Sequence, residues 1–290
     1  MQNLINKSIP EIQFLIRRRI TQLVSKNGKS YPYLSGDFFS QIADYAVPSN
    51  LEEINIVELL KARVLFIPSH FVDYILSSFK HQLKCEILIA GNSDFEFRKT
   101  DLELPRSVKK AFLQNSFISD DKTIFTLPIG IENLKLARNG FKSTMKKVSW
   151  LDKMDRILIG PFSPTSSERS EVLEFFLQEK GPWDVMEVHL PPYEYPKLQS
   201  KYKFVLCPGG NGIDTHRVWE TIYRGSLPIV LDNSWSRSLV KKFPLVLAGN
   251  LLGAQEMQDI LAQEKSRNSM DIPNVAFADY WLNLFGKETA

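Results

Sequence analysis

Residues 201–232 read KYKFVLCPGGNGIDTHRVWETIYRGSLPIVLD, from Lys201 to Asp232. A short apolar run at 203–207 predicts a buried strand, and it runs straight into Pro208-Gly209-Gly210-Asn211-Gly212. Three glycines in four positions let the backbone approach a ligand and turn its N–H groups outward. The loop opens directly into a helix predicted over 215–224, whose N-terminus adds a partial positive charge of roughly half a unit. Loop and helix end together suit a phosphate or another anion. A second buried strand follows at 227–231, after the turn Gly225-Ser226.

Helical spacing then groups the polar side chains. His216 and Glu220 are four apart and Arg217 and Glu220 three apart, so all three face one side. Val218, Trp219 and Ile222 are left to bury the other. A guanidinium matches paired phosphate oxygens bidentately, which suits Arg217. An ionised Glu220 only accepts, which suits adjacent hydroxyls such as a ribose diol. The plainer alternative is a surface pair between Arg217 and Glu220, with Asp214 as N-cap.

Outward from this segment, strands alternate with helices. Apolar runs at 63–68, 86–90, 123–129 and 155–160 predict buried strands. Helices are predicted at 71–79 and 169–178, the second behind a capping box of Thr165 with Glu168. This alternation argues for parallel sheets covered on both faces. The expected fold class is α/β, with two Rossmann-like units of similar size, 1–150 and 151–290, joined near residue 150. Residues 135–153 read as a polar, basic linker. Residues 1–30 carry six basic residues against one acid and read as an amphipathic helix, docked on its own domain or, alternatively, resting on an anionic membrane.

Composition narrows the class. The chain has 290 residues, 43% hydrophobic and 24% charged, with a net charge of +3. That is enough apolar side chain for a folded core, and no apolar run approaches the ~20 residues of a membrane span. The balance is too weakly basic to imply nucleic acid. The first ten residues lack a signal-peptide core, and only Cys85 and Cys207 are present, so the expectation is a cytoplasmic chain with reduced thiols. Gly-x-Ser-x-Gly and Gly-x-x-x-x-Gly-Lys-Ser/Thr are absent, as are Asp-x-Asp and any metal-ligand spacing of His with Cys. Glu187-x-His189 reads as a strand pair.

The string CPGGNGIDTHRVWETIYRGSLPIV resembles the nucleotide-sugar segment of exostosin-like and fucosyltransferase-like glycosyltransferases of the GT-B architecture. The matching positions are Pro208, Gly210, Arg217, Glu220, Gly225 and Pro228. Ser35-Gly36-Asp37-Phe38-Phe39, Gln114-Asn115, the segment from Leu127 to Glu132, and Arg169 look like further landmarks of bacterial members. The resemblance covers about 30 residues closely and implies two Rossmann-like domains facing across a cleft. It implies that Arg217 contacts a diphosphate and Glu220 the ribose or sugar. Arg169, Gly210, Asn211, Gly212, Asp214 and His216 complete the expected donor-binding set. Where fucosyltransferase-like members carry a Thr-Glu-Lys type motif, this chain has Thr215-His216, so GDP-fucose is not carried over as the donor.

The chemistry expected is transfer of a sugar from a nucleotide-sugar to a glycan or other hydroxyl acceptor, without a metal or further cofactor. Negative charge grows on the departing diphosphate, where fixed donors stabilise the transition state. An inverting transfer also needs a base near the acceptor. Asp37, Asp94 (just past the 86–90 strand) and His70 are the candidates. A helix at 277–285 is expected to cross back onto the first domain, by analogy with GT-B folds. The alternatives are a non-catalytic nucleotide- or saccharide-binding protein and another nucleotide-sugar enzyme. An epimerase would show Gly-x-Gly-x-x-Gly and a Tyr-x-x-x-Lys pair, and both are missing.

Overall fold

The computed structural model describes Ile12, Ile16 and residues 30–98, 102–134 and 142–287. Apart from Ile12, Ile16 and Ser30, the expected basic helix of residues 1–30 lies outside the described residues, as do residues 135–141 of the expected linker. Among the described residues two sheets form, each of five strands and each parallel throughout. The chain is therefore α/β.

The first sheet runs β1 (Tyr45–Ala46), β2 (Val64–Pro68), β3 (Ile87–Gly91), β4 (Lys110–Leu113) and β5 (Ile124–Thr126), in that order. Both β2 and β3 are buried along their whole length, which is why they read as unbroken apolar runs. Their side chains alternate between two cores. Leu65, Ile67, Leu88 and Ala90 pack with the helices α2 (Ile56–Lys61) and α3 (Val72–Phe79). Val64, Phe66, Ile87 and Ile89 face the other way.

That second face poses a topological problem. Right-handed crossovers that always step in one direction keep their helices on one side of the sheet. The opposite side must be covered from elsewhere. Here α1 (Gly36–Ile42) and the last helix, α9 (Ala278–Phe285), supply the cover. Trp281 meets Phe39 edge-on at 5.2 Å and Phe112 at 5.4 Å between ring centroids. The Phe285 carbonyl accepts from Arg63. The end of the chain thus completes the core of its beginning.

The second sheet is built from β6 (Met154–Ile159), β7 (Trp183–Val185), β8 (Tyr202–Leu206), β9 (Leu227–Leu231) and β10 (Val246–Ala248). Its spatial order is β10-β9-β8-β6-β7, so the winding reverses between β6 and β8. Helices α4 (Ser167–Gln178), α5 (Tyr195–Gln199), α6 (His216–Tyr223), α7 (Ser234–Leu239) and α8 (Ala254–Gln263) connect and cover these strands. On α6 the face bearing Val218, Trp219 and Ile222 is fully buried. The predicted capping box at α4 does not form. Its N-cap is Ser166, and Glu168 turns away to accept from Gly209 N at 2.8 Å. A backbone donor of the adjoining 207–212 loop competes successfully with the local one.

Replacing Trp281 by Ala should cost about 3–5 kcal/mol of stability, the range for truncating a large core aromatic. Equilibrium denaturation measures it, and a loss under about 1 kcal/mol would show that α9 does not seal the first sheet.

Candidate functional site

Open α/β sheets bind ligands beyond the carboxyl ends of their strands, where the winding reverses. In the second sheet that point lies between Gly160-Pro161, after β6, and the 207–212 loop, after β8. A cleft of about 270 Å³ opens there. Arg169, Gly210, Asn211, Gly212, Asp214, His216, Arg217 and Glu220 all line it, and Asp94 reaches it from the first unit. Its lining brings the expected donor-side residues together.

Two guanidiniums stand in its lining. Arg217 donates through Nη1 to the Gly160 carbonyl at 3.0 Å and through Nη2 to that of Pro161. Its guanidinium lies over the rings of Phe162 and Tyr195, at 4.9 and 5.1 Å. Arg169 donates through Nε to the Gly209 carbonyl at 2.9 Å, and through Nη1 to Thr165 Oγ1 at 2.9 Å. Neither forms an ion pair among the described residues. Burial and the neighbouring Arg217 both push the pKa of Arg169 down. An arginine stays charged regardless, so the cleft holds two fixed positive charges, with the carboxyl groups of Asp94, Glu132, Asp214 and Glu220 elsewhere in the same lining.

The glycine loop works differently from the sequence expectation. Gly209 N is taken by Glu168 and Gly210 N donates to the Gly212 carbonyl at 2.9 Å. These two N–H groups are turned inward. A Cβ on Gly212 would meet Asn115 Nδ2 at 2.6 Å. The missing side chain makes room for a neighbour from the first unit. The loop also does not open directly into the helix, because Ile213, Asp214 and Thr215 intervene before α6 begins.

Asp214 is not the N-cap; that position is held by Thr215. Only 3% exposed, Asp214 accepts from Trp219 Nε1 at 2.8 Å and from Ile129 N at 2.9 Å. Its own N–H donates to Asn115 Oδ1 at 2.9 Å. Asp214 therefore ties the glycine loop to the first unit, and both its oxygens are engaged. Glu220 is 3% exposed and pairs with Arg224 rather than Arg217, at 3.3 Å. Burial raises its pKa, opposed by Arg224.

A second cavity, of about 510 Å³, opens at the carboxyl edge of the first sheet. Asp37, Asp94 and His70 line it. Asp37 Oδ2 accepts from Leu134 N at 3.0 Å, so one oxygen is committed to the backbone. Asp94 is exposed and lines both cavities, as does His216. His216 Nδ1 lies 2.8 Å from the Gly130 carbonyl oxygen.

Several lining residues gave no local signal. Tyr195 and Thr215 have buried hydroxyls without a hydrogen-bond partner among the described residues, and both line the cleft. The Tyr195 phenol is pushed up to about 12 by burial, so it remains a donor. His189 lies in the loop after β7, so the Glu187/His189 strand pair does not exist. Only the fold brings Tyr195 and His189 to Arg217, whereas Thr215 stands two residues before it in the chain. Among the described residues no group of three His, Cys, Asp or Glu side chains is arranged to hold a metal ion. No described helix is long and apolar enough to cross a membrane. Both cysteines are free and buried.

Burial raises the Asp214 carboxyl from an ordinary 3.8 to about 7, against the N–H donors that favour its ionised form. Between those values the folded chain holds a proton that the unfolded chain releases, so the stability this group contributes falls as pH rises through the window. Wild type should therefore lose stability relative to Asp214→Asn between pH 4.5 and 7, with a level difference above. Denaturant melts of both proteins across that range measure it; a difference independent of pH would sink the assignment.

No protein-family model matches this chain, and no curated protein is significantly similar to it.

Proposed function

We propose that this protein is a glycosyltransferase of GT-B architecture. It transfers a sugar, with inversion, from a nucleoside-diphosphate sugar in the cleft at the second sheet to a hydroxyl acceptor in the cavity at the first. The observation that carries the reading is the pair Arg169 and Arg217. Both are fixed by backbone carbonyls, lack a carboxylate partner among the described residues, and line a cleft at a winding reversal.

The chemistry follows from that charge. Breaking the bond from the anomeric carbon to the donor diphosphate leaves an electron pair on a phosphate oxygen. Two prepositioned guanidiniums stabilise that developing charge without reorganising, in the role a divalent cation plays in other transferases. The orphaned hydroxyls of Tyr195 and Thr215 supply two further donors. Glu220, buried at the cleft wall, offers an acceptor to a ribose or sugar hydroxyl.

A thermal-shift screen with UDP, GDP, CMP and dTDP tests the nucleotide, since a specific ligand stabilises by mass action. At least one nucleoside diphosphate should raise the melting temperature; a flat response to all four removes the reading. Arg217→Ala and Arg169→Ala should each weaken its binding by about 2 kcal/mol, roughly 30-fold, as expected for losing a charge-assisted bond. Calorimetry with the diphosphate measures this, and unchanged affinity in both variants would place the anion elsewhere. Release of nucleoside diphosphate from a sugar donor separates an enzyme from a binding module.

A further inference from the structure

A base for glycosyl transfer must reach the acceptor hydroxyl where it meets the anomeric carbon, at the junction of the two cavities. Three described residues line both: Asp94, Ile129 and His216. Ile129 cannot take a proton. Asp94 is exposed, and its carboxylate accepts no bond from a described residue that would hold it in place. Asp37 lines the acceptor cavity alone and is tied to Leu134 N.

His216 is held. A carbonyl oxygen only accepts, so the 2.8 Å contact with Gly130 puts the hydrogen on Nδ1. In the neutral ring the lone pair then resides on Nε2. The carbonyl is itself fixed: Gly130 has φ +69°, and a Cβ there would come within 2.1 Å of the Leu34 carbonyl oxygen. Only glycine permits that turn. Arg217 follows His216 on the same buried helix, so a proton acceptor and a leaving-group cation share one rigid element.

We infer that His216 is the general base of the transfer, an inference that rests on the glycosyltransferase reading above. Nε2 takes the proton of the acceptor hydroxyl as that oxygen bonds to the anomeric carbon. The bond from that carbon to the diphosphate oxygen breaks, and its electron pair stays with the diphosphate between Arg169 and Arg217. The imidazolium then returns its proton to water through the open cleft.

The test uses His216→Asn, whose amide can still donate to the Gly130 carbonyl but has nothing at Nε2, with His216→Gln as a second variant. UDP-glucose, UDP-galactose, UDP-N-acetylglucosamine and GDP-mannose are assayed for release of nucleoside diphosphate, and UDP and GDP affinities are measured alongside. Loss of turnover by about 100-fold or more, the usual worth of a general base, with diphosphate affinity retained, is the expected result. Azide needs no deprotonation, so formation of glycosyl azide should survive in the variants. Turnover within about fivefold of wild type overturns the assignment, and a loss confined to Asp94→Asn moves the role to Asp94. Diphosphate affinity lost together with turnover makes His216 a binding group and equally overturns it. If wild type binds UDP or GDP yet turns over none of the four sugars, the glycosyltransferase reading fails first.

Discussion

The site depends on one buried carboxylate. Asp214 joins the glycine loop of the second unit to the 127–131 segment of the first and holds the Trp219 indole at the same time. A carboxylate this deeply buried is tolerated only where donors surround it. Because one donor belongs to the other unit, the carboxylate sets the position of that unit at the cleft. Asn115 adds to the same join by accepting from Asp214 N and filling the space beside Gly212. Both walls of the cleft are located by these contacts.

Around that join the two sheets solve different packing problems. The first steps in one direction and leaves a face open, which α9 closes with Trp281 and Phe285. The second reverses its winding and so covers both of its faces with its own connections. The reversal also separates two loop ends and leaves a crevice between them. Tyr223 links the halves, donating its hydroxyl to the Ala276 carbonyl at 2.6 Å and accepting from Leu34 N. Separating the units would therefore expose apolar surface and leave buried polar groups without partners.

The charge in the crevice follows from which partners the arginines have. Glu220 is committed to Arg224, and Glu168 to a backbone N–H of the glycine loop. Arg169 and Arg217 are left with carbonyls and hydroxyls, which orient a guanidinium without neutralising it. The cation–π contacts beneath Arg217 act in the same sense. Asp94 and Glu132 lie elsewhere in the same lining, so the positive charge is local to the two guanidiniums.

The runs at 63–68, 86–90, 203–207 and 227–231 declared the strands at 64–68, 87–91, 202–206 and 227–231 because parallel strands buried on both faces are predominantly apolar. The α6 face with His216, Arg217 and Glu220 was legible for a similar reason, since helical period alone puts them together. Strands of two to four residues such as β1, β4, β7 and β10 carried no such signal, because so short a run fits any period. The chain by itself determined the α/β class, the main strands and the polar side of α6, all of which follow from local periodicity. The tertiary structure alone decided that Asp214 accepts from Ile129 N, that Glu168 leaves its cap for Gly209, and that Tyr195 lies beneath Arg217. Those outcomes depend on which distant donor or ring is nearest once the core has closed, and no local pattern encodes that distance.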